Sequence, residues 1–246
     1  MKKYFQAPWS ISELLKALIT SIILVAICQG LGFYLDFSEK FDNSNFKTLI
    51  SLGVFTLQWL IFFLPLLLIS KGWKKFKWKS FGLNNYDLLK TILLIARGIV
   101  IYIGISILVT LIILYFNVKI PGYQVQSSIF QYFENDTISI ILTGLIVVLI
   151  GPFLEEVFFR GFLLRTISDR MGVIYGSIIS AGIFALLHMP WQSIIPIFIL
   201  GLIINSLVIK SKSLWPAIGF HIFNNAIAFT IQLLLSKGVI SVETLV

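Results

Sequence analysis

The chain has 246 residues, of which 58% are hydrophobic and only 12% are charged, and its mean hydropathy is +0.96. A soluble domain contains roughly 45–50% apolar and about 25% charged residues, so this composition excludes an ordinary soluble protein and predicts an integral membrane protein. The net charge of +8 does not indicate nucleic-acid binding, because the lysines cluster beside apolar segments, as the cytoplasmic flanks of membrane spans do.

Seven apolar stretches are long enough to cross a membrane as helices, which satisfy their own backbone hydrogen bonds in lipid. They lie near residues 13–35, 48–70, 88–116, 137–168, 172–190, 192–209 and 214–235. An eighth element is an alternative, formed by the start "SISELLKAL" or by the tail after Lys237. The sequence therefore predicts an all-α, polytopic membrane helix bundle of about seven to eight transmembrane helices. We divide it into N-terminal helices at 1–136, a group of core helices at 137–235 and a short tail at 236–246.

Lysine and arginine are distributed unevenly between the predicted loops. They flank the first span, fill the loop at 71–80 and follow the fourth and sixth spans, which all fall on one side if the chain alternates. Because cytoplasmic loops carry the excess of Lys and Arg, the pattern predicts a cytosolic N-terminus. Richness in Lys, Ile, Asn and Phe indicates an AT-rich bacterial genome, hence a bacterial cytoplasmic membrane. The 71–80 lysines, interleaved with Trp73 and Phe76, predict contact with anionic lipid, with a partner-docking site as the alternative.

Few ionisable residues lie inside the predicted spans, where a charge is costly and by default marks a functional site. They are Arg97, Glu155, Glu156, Arg160, His188 and His221. Glu156 and Arg160 are spaced i,i+4 and share a helix face as an ion pair, whereas Glu155 lies about 100° around the helix and is free to face a cavity. Gly151-Pro152, just before them, is predicted to bend or break the helix and to make room for water. A structural salt bridge between helices is the alternative interpretation.

Spacing along the chain places three of these residues at matching depths. A turn is predicted at 169–172, and Glu155 and His188 lie at similar distances before and after it, roughly 24 Å at 1.5 Å per residue. His221 follows the next turn, at 210–213, by about eight residues, which places it roughly 12 Å deep. The two depths agree if the earlier hairpin protrudes from the membrane by two helical turns.

Asn225 comes four residues after His221 and therefore shares its helix face. The spacing thus predicts one site that collects Glu155, His188, His221 and Asn225 from three helices. Arg97 falls at a comparable depth and is predicted either to pair with a carboxylate or to extend to the cytosolic interface. A hydrogen bond between helices is the alternative account of each histidine.

Three motifs in this order resemble those of the CPBP family, which contains the type II CAAX prenyl endopeptidases and bacterial relatives tied to bacteriocin self-immunity and peptide processing. The motifs are Glu155-Glu156-x-x-x-Arg160, Phe184-x-x-x-His188 and His221-x-x-x-Asn225. The resemblance covers roughly residues 137–235. It implies a membrane-embedded endopeptidase that opens to the cytosol and cleaves a membrane-associated peptide or protein.

The resemblance also implies a role for each motif residue. Glu155 would activate the hydrolytic water, assisted by His188, while His221 and Asn225 would stabilise the oxyanion. Peptide hydrolysis needs such a base and such donors on general chemical grounds. The supporting set predicted around them comprises Glu156, Arg160, Phe184 and Arg97.

A zinc ion is the one cofactor that these residue types allow. Glu155, His188 and His221 are ligand types of catalytic zinc sites, but the histidines come from different helices and no H-E-x-x-H motif occurs. A metal-free mechanism is therefore favoured, with zinc as the alternative. The competing functions are a non-catalytic membrane immunity protein or chaperone of the same fold, and a small transporter whose buried charges line a path.

Overall fold

A computed structural model of the chain describes residues 5–35, 78–117, 137–188 and 193–241, together with eight helical positions between 53 and 68. Regular structure in these ranges is entirely helical, which confirms the predicted all-α class. The helices are α1 (Ile11–Leu35), α2 (Leu88–Tyr115), α3 (Thr137–Met171), α4 (Val173–Leu186), α5 (Ile194–Ser211) and α6 (Trp215–Ser236), with a short 3₁₀ helix at Trp78–Phe81.

Five of these helices, namely α1, α2, α3, α5 and α6, are long and apolar enough to cross a membrane, whereas α4 has only 14 residues. Their outer surfaces are apolar: α2 buries only Gly98 and exposes a row of Leu and Ile side chains that suit lipid. The protein is therefore an integral membrane protein of several helices. The predicted count of seven to eight spans is not confirmed: the span predicted at 48–70 lies largely outside the described ranges, and the one predicted at 172–190 corresponds to the shorter α4.

The helical backbone of α3 continues through Gly151-Pro152 without the predicted break. Its winding changes instead: Leu145–Ile150 and Glu156–Leu164 are π-helical, and the α-helical turn Gly151–Glu155 lies between them. A proline breaks an α-helix because it lacks an N–H and its ring clashes with the preceding turn. The wider turn before the proline gives its ring more space, but the missing N–H still removes one backbone donor from the helix.

The described residues form two compact units. The first contains the described residues of 1–14, 77–126 and 155–221, and the second those of 15–76, 127–154 and 222–246. The helices α1, α3 and α6 contribute residues to both. The predicted division at residues 136 and 235 separates regions by role rather than by packing, and it stays a prediction.

Within the first unit, the N-terminal segment packs against the end of α3. The Trp9 ring contacts Phe81 and Phe162, with centroids 4.6 Å and 5.0 Å away, and all three side chains are buried. Arg165 donates to the carbonyl oxygen of Gln6 at 3.3 Å. Aromatic packing and a charged hydrogen bond together hold this segment in place.

The 3₁₀ helix and the turn after it lie between α3 and the α5–α6 turn. The Arg165 guanidinium also donates to the Ser80 carbonyl oxygen, and the Leu214 N–H donates to the Gly82 carbonyl oxygen at 2.9 Å. A Cβ atom at Gly161 would lie 2.8 Å from the carbonyl oxygen of Phe81, so α3 approaches this turn at a point where only glycine fits.

These contacts bring together the segments beside the N-terminus, beside the 71–80 loop, at the end of α3 and at the α5–α6 turn. We therefore expect all of them on one membrane side, and the excess of Lys and Arg predicts the cytosolic side. In a Cys28→Ser background, cysteines introduced at 75 and 212 should be protected from an impermeant thiol reagent added to intact cells. A cysteine at 42 should react. Reaction at 75 and 212 but not at 42 would reverse the orientation.

Candidate active site

Glu156 and Arg160 form an ion pair in the interior of the first unit. Glu156 Oε1 lies 2.8 Å from Arg160 Nη1, and neither side chain is accessible to solvent. The predicted i,i+4 ion pair is thus present. Each charge is costly to bury alone, and each supplies the other's nearest compensation.

The Arg160 guanidinium is held by further groups from two other helices. Its Nε donates to Asn205 Oδ1 at 3.0 Å, and its Nη2 donates to the Gly201 carbonyl oxygen at 3.4 Å. Its face lies 4.3 Å from the centroid of the Phe184 ring, a cation–π contact. Asn205 was not among the predicted site residues; its amide in the middle of an apolar span is the signal that points to it.

The second histidine of the chain is anchored by the same carboxylate. His221 Nδ1 lies 2.7 Å from Glu156 Oε1, and both side chains are buried. Because the carboxylate accepts and has no proton to give while it is ionised, Nδ1 carries the hydrogen. The opposite ring nitrogen, Nε2, is therefore the one left for chemistry.

His188 is oriented in the same way by a different group. Its Nδ1 lies 2.7 Å from the carbonyl oxygen of Phe184. A carbonyl oxygen only accepts, so Nδ1 again carries the hydrogen and Nε2 is directed away from its own helix. The His188 side chain is 30% exposed, which makes it the most accessible member of the group.

Glu155 faces the Nε2 atoms of both histidines. Its Oε2 lies 3.4 Å from His188 Nε2 and 3.6 Å from His221 Nε2, and the side chain is only 6% exposed. Both distances exceed a formed hydrogen bond, and this oxygen has no partner at that length among the described residues. A neutral imidazole of either ring presents a lone pair here. Glu155 Oε2 and a histidine Nε2 therefore attract each other only if Nε2 carries a proton or if an O–H group, such as a water, bridges the two atoms. A bridging water of this kind is placed for activation by the carboxylate.

Phe184 is the apolar platform of this cluster. Its ring centroid lies 4.2 Å from that of His188 and 5.8 Å from that of His221, and its side chain is buried. It thus contacts both imidazoles as well as the guanidinium described above. The predicted supporting residues Glu156, Arg160 and Phe184 therefore all touch the cluster.

Two other predicted site residues make different contacts. Arg97 is exposed on α2, and no ion pair links it to a carboxylate of the described residues. Its predicted pairing with a carboxylate is therefore not formed in this part of the chain. Asn225 belongs to the second unit, where its Nδ2 donates to the Val147 carbonyl oxygen at 3.0 Å. Its role at the oxyanion stays a prediction.

The donor types for zinc are present in Glu155, His188 and His221, each with its ligating atom directed towards the others. The described residues contain no group of three His, Cys, Asp or Glu side chains arranged as a metal-ligand set. We therefore derive no chemical step through a metal ion.

The fold and the cluster define a class: an integral membrane protein with two carboxylates, two histidines and an arginine held in its interior. Residues 137–227 match the family model described as type II CAAX prenyl endopeptidase Rce1-like. The match confirms, for this part of the chain, the resemblance to the CPBP family indicated by the three motifs. It supports a membrane endopeptidase of the CAAX protease type. No curated protein and no solved structure matches the chain.

The buried ion pair should dominate the stability of the first unit. Arg160→Met leaves the Glu156 carboxylate without its cation, and Glu156→Gln leaves the guanidinium without its anion, so each should cost about 3–5 kcal/mol of unfolding free energy. Thermal unfolding of purified protein measures this loss. The double variant should be more stable than either single variant, because it strands no charge. Arg170→Met is the control, since Arg170 is 51% exposed and its nearest carboxylate is 3.9 Å away. Equal losses for Arg160→Met and Arg170→Met would contradict this account.

Proposed function

We propose that the protein is an intramembrane endopeptidase that hydrolyses a peptide bond with a water activated by Glu155. The observation that carries this proposal is the convergence on one carboxylate oxygen. Glu155 Oε2 lies 3.4 Å and 3.6 Å from two Nε2 atoms whose rings are both fixed through Nδ1. A base flanked by two oriented imidazoles is suited to taking a proton from water and passing it on.

The proposed mechanism needs one histidine that donates and one that accepts. Ionised Glu155 and Glu156 with cationic Arg160 leave one net negative charge, which one proton on a histidine would neutralise. We propose His221 as the donor, because its Nδ1 is fixed by the Glu156 carboxylate and its Nε2 faces Glu155. A protonated His221 then offers Nε2–H as a donor. His188 is the proposed acceptor, since the lone pair of its Nε2 can accept a water hydrogen whenever the ring is neutral.

The reaction then follows in two steps. The water oxygen attacks the peptide carbonyl carbon while one water proton passes to Glu155, and the carbonyl oxygen becomes an oxyanion that accepts from His221 Nε2–H. The carbon–nitrogen bond next breaks, and the proton held by Glu155 passes to the leaving amine nitrogen. The remaining acid loses its proton, so the products are a carboxylate and an amine. His188 holds the water in line with Glu155 until the water oxygen has attacked the carbonyl carbon.

Asn225 is proposed as the second donor to the oxyanion. It lies one helical turn after His221 on α6, and it occupies the last position of the third motif. The support here is the motif and the matched family rather than the geometry of the first unit. We propose a membrane-associated peptide or protein as substrate, and the name of the matched family suggests a prenylated CAAX sequence as the first one to try.

Glu155→Gln should abolish cleavage and preserve the fold, because the amide keeps the shape of the side chain but cannot accept the water proton. We expect kcat to fall roughly 10²–10⁴-fold, the usual contribution of a general base. The assay is a quenched fluorogenic peptide ending in a farnesylated Cys-aliphatic-aliphatic-X sequence. Glu13→Gln is the matched control, since Gln preserves the Ser10–Glu13 capping contacts at the start of α1.

Comparative peptidomics of cells with wild-type protein and with Glu155→Gln extends this test to natural substrates. Peptides that accumulate only with the variant are the expected result. A cellular phenotype that persists in Glu155→Gln would favour a non-catalytic immunity protein or chaperone. Solute flux into vesicles that contain the purified protein would favour a transporter.

We propose that catalysis needs no metal ion, because the base, the proton acceptor and the oxyanion donor are all supplied by side chains. Active protein should then contain far less than one zinc per chain by elemental analysis, and exhaustive chelation should leave kcat unchanged. Stoichiometric zinc, together with activity that chelation abolishes and zinc alone restores, would show the metal-free mechanism to be wrong.

A further inference from the structure

The π-helical segment Leu145–Ile150 leaves one backbone carbonyl without a partner in its own helix. In this segment the Gly151 N–H donates to the carbonyl oxygen of Ile146, five residues earlier. The next bond of the same pattern would run from residue 152 to the carbonyl oxygen of Val147. Residue 152 is a proline, which has no N–H to donate. The α-helical alternative donor to Val147 would be Gly151, whose N–H is already used.

Asn225 takes the place of that missing donor. Its Nδ2 donates to the Val147 carbonyl oxygen at 3.0 Å, in a partly buried position of the second unit. A buried carbonyl that loses its partner is costly, so this bond is favourable for the backbone as well as for the side chain. Because a carbonyl oxygen only accepts, the bond also determines which amide atom of Asn225 faces the helix.

The same bond leaves a defined donor on Asn225. A side-chain amide has two N–H groups, and the Val147 carbonyl oxygen takes one of them. The second N–H is then held in a fixed direction, with the amide rotation about its side chain already restricted. A donor prepared in this way gains more in a transition state than one that must be ordered during the reaction.

We propose that Pro152 is a positioning residue for the hydrolytic reaction: by lacking an N–H, it reserves the Val147 carbonyl oxygen for Asn225 and so fixes the amide that donates to the oxyanion. The inference rests on the proposed function for the role of Asn225, but the hydrogen-bond exchange does not. Any other residue at 152 would supply an N–H. With π winding that N–H would occupy Val147, and with α winding the Gly151 N–H would do so. Either outcome gives the Val147 carbonyl oxygen a backbone donor, so its bond to Asn225 is no longer needed and holds the amide less firmly.

A thermal-stability cycle tests the exchange without any substrate. The full-length wild type, Pro152→Ala, Asn225→Ala and the double variant are purified in one detergent, and their Tm values are compared. Asn225→Ala should lower Tm in the wild-type background, because the Val147 carbonyl oxygen loses its donor. It should lower Tm much less in the Pro152→Ala background, where a backbone N–H supplies the bond. Equal losses of Tm in both backgrounds would overturn the inference.

A kinetic cycle with the same four proteins tests the positioning role. With the farnesylated fluorogenic peptide, Pro152→Ala should lower kcat roughly 10–100-fold with little change in KM, as expected for a misplaced catalytic group. It should cause no further loss of kcat once Asn225 is alanine. The matched control is Pro196→Ala. Pro196 lies in the first turn of α5, where N–H groups have no partner within the helix, so kcat should stay at the wild-type value.

The two cycles separate the possible failures. If Pro152→Ala keeps the wild-type kcat while Asn225→Ala loses it, the positioning role is wrong and the proposed function stands. If Asn225→Ala itself keeps the wild-type kcat, the proposed oxyanion role of Asn225 is wrong, and the positioning role fails with it. In that case coupled Tm values would still establish the hydrogen-bond exchange.

Discussion

A guanidinium without access to solvent imposes most of the order in the first unit. Arg160 presents several N–H groups in a fixed plane, and each of them must find an acceptor in the apolar interior. The acceptors come from Glu156 on its own helix and from Gly201 and Asn205 on α5, while Phe184 of α4 covers its face. Three helices are therefore held in one register by a single side chain. Their relative rotation is not free, since any slip would leave a charge or an amide unpaired.

The orientation of the histidines follows from this arrangement. Glu156 accepts from Arg160 and from His221 at the same oxygen, so the imidazole is fixed as a consequence of the ion pair. His188 reaches an equivalent orientation through a backbone carbonyl instead. Two unrelated anchors thus direct both Nε2 atoms at Glu155. The tautomer of a functional histidine is generally set by what its other nitrogen binds, and here both other nitrogens are committed.

Glu155 and Glu156, although adjacent in the sequence, consequently differ in what their carboxylate oxygens contact. The Oε1 atom of Glu156 accepts two hydrogen bonds, at 2.8 Å and 2.7 Å, and its charge is compensated. Glu155 has histidine nitrogens at 3.4 Å and 3.6 Å and no described group at hydrogen-bond length on Oε2. The Oε1 atom of Glu156 is thus occupied by two side chains that it holds in place. The Oε2 atom of Glu155 faces the Nε2 atoms of both imidazoles instead, which is why we assign the base to Glu155.

Helical spacing was enough to predict the ion pair and the approach of Glu155 to both histidines, because these contacts depend on period and depth alone. Most predicted boundaries also agree within a few residues, as for 88–116 against Leu88–Tyr115 and 214–235 against Trp215–Ser236. Asn205 was not predicted as a site residue, because its contact with Arg160 depends on how α5 is rotated about its axis, and spacing along the chain does not determine that rotation. Of the bend or break predicted at Gly151-Pro152, the break was wrong for a related reason, and the bend stays a prediction. The predicted break assumed α-helical winding on both sides, whereas the wider winding is a property of the packed chain.

The two π-helical segments of α3 contain the residues that make its polar contacts. The π segment Glu156–Leu164 contains both members of the ion pair, and the π segment Leu145–Ile150 contains the carbonyl of Val147 that accepts from Asn225. Such segments are rare, since their backbone bonding is poorer than that of an α-helix, and they occur frequently at functional sites. In a regular α-helix each interior carbonyl oxygen already accepts from its own helix, so a side-chain donor adds a second bond there rather than supplying a missing one. In lipid no water can compensate an unpaired carbonyl, so a departure from α winding is tolerated only where another protein group completes the bond. The cost of irregular winding at Val147 is thus offset by the hydrogen bond from Asn225 Nδ2. That bond supplies the donor that Pro152 lacks, because proline has no backbone N–H.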